Sequence, residues 1–67
     1  MFLKLHYTSE PGREFLINTN VIAGVEINGT LDKGSVLTLT TPDKDGEPKY
    51  ECVRERFDDI ATMLGVI

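Results

Sequence analysis

The sequence predicts a mainly β domain: a five-stranded antiparallel meander with one C-terminal helix, able to curl into a partly open SH3-like barrel. Three observations lead there. Short runs rich in Val, Ile, Thr, Phe and Leu recur along the chain, separated by Pro-Gly, Asn-Gly and Asp-Lys-Asp-Gly turn signals. Within those runs apolar and polar residues alternate, the period of a half-buried strand. Only near Val53 does the apolar spacing change to that of a helix.

The first strand is expected over residues 2–8, with Leu3, Leu5 and Tyr7 on one face and Lys4, His6 and Thr8 on the other. Pro11-Gly12 turns the chain, because Pro presets φ and Gly tolerates positive φ. The second strand covers residues 14–18, Phe15 and Ile17 pointing one way and Leu16 and Asn18 the other. Asn18-Thr19-Asn20 then forms a corner, since Asn side chains bond nearby backbone groups. A third strand follows at 21–27. Its apolar phase slips between Ile22 and Val25, which places a β-bulge at Ala23-Gly24.

After the Asn28-Gly29 turn, a fourth strand is expected over 36–41 with Leu37 and Leu39 inward. A fifth covers 49–53 with Tyr50 and Cys52 sharing a face. The helix is expected over 55–64: Val53, Phe57, Ile60, Ala61 and Leu64 form one stripe, Asp58 and Asp59 favour the N-terminal dipole, and Gly65 supplies the stop. Arg56 stands where a capping Ser, Thr, Asp or Asn would serve better.

Length and charge bound the function. A single domain of 67 residues sits near the lower limit for an unstapled core. Cys52 is the one cysteine and His6 the one histidine, so neither an internal disulfide nor a tetrahedral zinc site is available within one chain. Self-association is the remaining common device, and a homo-oligomer is expected. With 11 acidic against 7 basic residues the net charge is −4, which disfavours binding to phosphate backbones. No apolar run approaches the length of a membrane span, and the opening Met-Phe-Leu-Lys-Leu-His lacks the pattern of a signal peptide. The expected setting is the cytoplasm, with a reduced thiol.

No motif carries chemistry. Asp43-Lys44-Asp45-Gly46 fails as a calcium loop, because Thr41 and Cys52 fall where the first ligand and the bidentate Glu belong. His6 and Cys52 lie on different strands and out of phase, so a thiolate–imidazolium pair is not expected and Cys52 reads as a small buried hydrophobe. The glycines form neither a dinucleotide fingerprint nor a P-loop, and Asn28-Gly29-Thr30 is a glycosylation sequon without a secretory signal. Asn18, Asn20 and Gly24 are assigned to the corner and bulge. Arg54, Glu55 and Arg56 read as a solvated helix entrance, in which Arg54 and Arg56 are the candidate partner contacts. No catalytic residue, metal or cofactor is expected.

Taken together, Phe15, Ile17, Asn18, Asn20, Val21 and Ile22, then Val25 and Glu26, resemble the flagellar FlbD-like family of small bacterial proteins. The likeness continues through Val36, Leu37, Thr38, Leu39 and Thr40, then Tyr50, Val53, Glu55, Phe57 and Ile60. The connections 28–35 and 42–48 are longer than the family usually has. Thr19-Asn20 stands for its Pro-Asp, and Arg56 for its capping Ser. The resemblance implies a small non-enzymatic protein encoded near flagellar genes, with no catalytic residues to transfer. An interaction or regulatory module is the leading expectation. An SH3- or LSm-like barrel binding nucleic acid is the alternative, and a Cys52-dependent enzyme comes last.

Overall fold

Alternation and turn chemistry produce the expected elements in order. The computed structural model describes residues 1–10, 12–41 and 44–66. Strands β1 (Phe2–His6) and β2 (Glu14–Asn18) form an antiparallel hairpin with Leu3 opposite Ile17 and Leu5 opposite Phe15. Its turn is closed by the Arg13 N–H donating to the Glu10 carbonyl at 3.0 Å, with Gly12 at φ +87°. Pro11, which was expected to start that turn, lies outside the described residues.

The Asn18 corner is a single 3₁₀ turn at Thr19–Val21, in which the Asn18 side chain accepts from the Asn20 N–H at 3.0 Å. Strand β3 (Ile22–Ile27) leaves it and pairs with β4 (Ser35–Leu39), which pairs in turn with β5 (Lys49–Val53), all antiparallel. The β3–β4 register shifts between Ile22 and Gly24, so the bulge falls where the phase slip predicts it. Ala23 is the extra residue. It lets Ile22 oppose Leu39 and Val25 oppose Leu37, although the two lie three positions apart.

The corner also divides the meander. β2 and β3 follow each other in sequence without pairing, which leaves sheets of two and three strands and no closed barrel. The sheets are joined at the far end of β1, where Tyr7 bridges Val53 and the Arg54 N–H donates to the His6 carbonyl at 2.9 Å. Between them sits one core of Leu3, Leu5, Ile17, Leu37, Val53 and Ile60. Ile60 comes from helix α1 (Phe57–Met63), which plugs one end of the layered sheets.

Helix α1 is shorter than its apolar stripe suggests. Arg56 is its N-cap and gives no side-chain hydrogen bond. The far end is well made: the Gly65 N–H reaches the Thr62 carbonyl and the Val66 N–H the Ala61 carbonyl, with Gly65 at φ +79°. This is a Schellman stop. Of the stripe, Ile60 is buried, while Phe57, Ala61 and Leu64 are half-buried and Val53 ends β5.

One facing is reversed. Cys52 and Tyr50 share a face as expected, but it is the solvent face, and Cys52 is exposed. Register decides this. Leu37, fully buried, stands opposite Glu51, and Ser35 opposite Val53, so the inward phase of β5 is Lys49, Glu51 and Val53.

Candidate functional site

Three places bring polar or apolar groups together beyond what the core needs. The first is a clasp at the junction of the sheets. His6 ends β1 on the face away from the core, as its phase requires. Its backbone N–H donates to Glu55 Oε1 at 2.9 Å, and its Nδ1 lies 2.6 Å from Glu55 Oε2. Glu14 Oε2 approaches Nε2 at 3.3 Å and also pairs with Lys4 at 3.0 Å. Ser35, wholly buried, donates its hydroxyl to the Glu55 carbonyl at 2.8 Å. Burial pushes the Glu55 carboxyl upward, but the hydrogen bonds from the His6 ring and His6 N–H outweigh it and hold the group below its ordinary value. Glu14 is likewise held low, chiefly by its hydrogen bond with Lys4.

Glu55 was expected on a solvated helix entrance between two arginines, and this is corrected here. Its side chain turns into the junction while Arg54 and Arg56 stay exposed on either side. A Glu flanked by two Arg carries no local signal of this role. Only the return of β1 to residues 54 and 55 creates it. The clasp can hold two sheets together. It is not a nucleophile with its base, since Cys52 lies on the outer face of β5.

The second place is an apolar groove of about 280 Å³ between the bulged start of β3 and helix α1, lined by Ile22, Gly24 and Val25 on one side and Phe57, Ala61 and Leu64 on the other. Gly24 is therefore a groove wall as well as a bulge residue. β3 is paired on one side only, with β4. Val66, 72% exposed, also lines the groove, and Ile27 at the end of β3 and Met63 in α1 are exposed too.

The third is an open mouth of about 710 Å³ lined by residues of β2, β4 and β5 and of the segments beside them. Its walls are Phe15, Ile17, Val21 and Leu39, and its rim includes Lys44, Lys49 and Glu51. Tyr7 stacks on Phe15 with ring centroids 4.2 Å apart and planes 20° from parallel. The Arg13 guanidinium lies 5.5 Å from the Tyr7 ring centre and is also paired with Glu10.

The corner residues Asn18 and Asn20 stand apart from the clasp and are joined by the hydrogen bond of the 3₁₀ turn. Asn18 is half-buried and Asn20 exposed. Among the described residues, no cluster of His, Cys, Asp and Glu could hold a metal ion, and no helix is long and apolar enough to cross a membrane. No family model, curated protein or solved structure matches this chain.

Proposed function

We propose that this chain is a small, non-catalytic, cytoplasmic interaction module of the kind its FlbD-like resemblance implies, and that it works as a homo-oligomer. The observation that carries the reading is the apolar groove beside β3. It lies next to a strand with one open edge, and the exposed Val66 side chain lines it as well. An open edge is a template for a further strand, and an apolar groove is the natural seat for side chains from it. The occupant is a second copy, because a chain of this size with six buried apolar side chains gains most from sharing surface with its own kind. Arg54 and Arg56, exposed at the entrance to α1, are the rim contacts for a further protein partner.

Light scattering across a concentration series tests this. The expected result is a mass above the 7.5 kDa of one chain, falling toward it on dilution. Ala61→Glu, which puts a charge in the groove, should return the monomer while the circular dichroism spectrum stays native. A mass of 7.5 kDa throughout the series would overturn the reading.

A further inference from the structure

The inward phase of β5 carries charge. From the buried Val53, the same face continues through Glu51 to Lys49, opposite the core leucines Leu37 and Leu39 of β4. Charges on a core-facing phase would lose their hydration if the sheets closed over them. Here they open into the mouth, where Lys44 joins them from the β4–β5 connection. Lys44 and Lys49 bring two ammonium groups to this rim beside the carboxylate of Glu51. Below the rim the walls are apolar: Phe15, Val21 and Leu39 all pack against the core, and the Phe15 ring is held flat by its stack on Tyr7. A volume of about 710 Å³ is that of a small-molecule site, and barrel-like mouths are a common place for one.

We infer that this mouth binds a small organic anion with a flat apolar body, the body resting on Phe15 and Leu39 and the anionic group held by Lys44 and Lys49. The competing account of inward charges on an edge strand is that they block edge-to-edge association. That account predicts no ligand, and association when the lysines are neutralised.

The test uses the full chain labelled with ¹⁵N and three probes at neutral pH: 2-naphthoate, the neutral 2-naphthol, and acetate. Two-dimensional amide spectra should show saturable shifts with 2-naphthoate at Leu16, Leu39 and Lys49. 2-Naphthol should bind about tenfold more weakly, the fold-change of one charge-assisted hydrogen bond. Acetate, lacking the flat body, should give no saturable shift. Lys49→Gln should weaken 2-naphthoate by a similar factor with a dispersed native spectrum, and Lys44→Gln serves if Lys49→Gln does not fold. Equal binding of 2-naphthol, shifts centred on Ala61 and Leu64, or association of the Gln variants beyond the unsubstituted chain's own mass without any probe binding would each overturn the proposal.

Discussion

His6 and Glu55, 49 positions apart, are joined twice: by the backbone N–H of His6 and by its ring, on the two oxygens of one carboxylate. That double contact closes the β1–β2 hairpin onto the three-stranded sheet. Glu55→Ala strands the buried end of this arrangement, removing the acceptor of the His6 N–H and of Nδ1. The expected loss is about 1–3 kcal/mol, the range for hydrogen bonds to a charged group. Urea unfolding should show it as a lower midpoint with an unchanged slope. In a double-mutant cycle, His6→Ala and Glu55→Ala should be less than additive, because the ring contact needs both side chains while the residue-6 N–H depends on Glu55 alone.

Acid should loosen the same junction. The folded protein holds the Glu55 carboxyl below its ordinary value of 4.5, so the unfolded chain takes up this proton more readily. The stabilisation is fully present above about pH 4.5. It is lost as pH falls below that value and through the lower folded one. Thermal melts between neutral pH and pH 3 should therefore show an acid slope that is shallower in Glu55→Gln, whose side chain does not titrate.

The Asn18 corner is a stability element without chemistry. Asn18→Ala deletes the 3.0 Å bond to the Asn20 N–H at the turn that separates the sheets. By analogy with helix N-caps, the cost is about 0.5–2 kcal/mol. Asn18→Asp, which keeps an acceptor in place, should recover most of it in the same chemical melt.

Local signals explain what was legible. The corner, the bulge and the Gly65 stop each rest on a short-range signal: a side chain bonding two residues on, a slip in apolar phase, and a glycine at positive φ, and each stands where the sequence puts it. The phase of β1 was also legible, since Leu3 and Leu5 alternate with Lys4 and His6, and β2 follows from pairing Ile17 with Leu3 and Phe15 with Leu5. β5 was not. Tyr50 and Cys52 are the more apolar pair in Lys-Tyr-Glu-Cys-Val, and nothing within those five residues outweighs them. The deciding fact is that Glu51 pairs across from Leu37, a long-range register. The clasp was hidden for the same reason, because Glu55 and His6 share no local pattern. The groove and the mouth are likewise assembled from side chains of several elements far apart in sequence.

The reversed phase of β5 has a direct chemical consequence. Cys52 is exposed, so iodoacetamide should label it in the native protein without denaturant. Labelling at the rate seen only in denaturant would restore the buried assignment. Cys52→Ser should shift stability by no more than about 0.5 kcal/mol, as for other surface positions.

Gly34 offers the sharpest test of the close approach between β4 and the β5–α1 connection. It sits at φ +88° just before buried Ser35, and a Cβ built on it would overlap the Val53 carbonyl oxygen and crowd the Arg54 backbone. Gly12 has nearly the same φ, +87°, but a Cβ there meets nothing within 4 Å. Both glycine-to-alanine changes incur the cost of a positive φ, and Gly34, at φ +88° and ψ −150°, lies in a region essentially reserved for glycine, which costs roughly 1–3 kcal/mol. Only Gly34→Ala must also push backbone against backbone, which cannot relax by rotating a side chain. Gly12→Ala should therefore stay folded with a modestly lower midpoint. Gly34→Ala should lose at least about 2 kcal/mol more, in the range where single changes unfold a small domain. Equal midpoints for the two variants would mean that β4 and the Val53–Arg54 segment do not approach as closely as the structure has them.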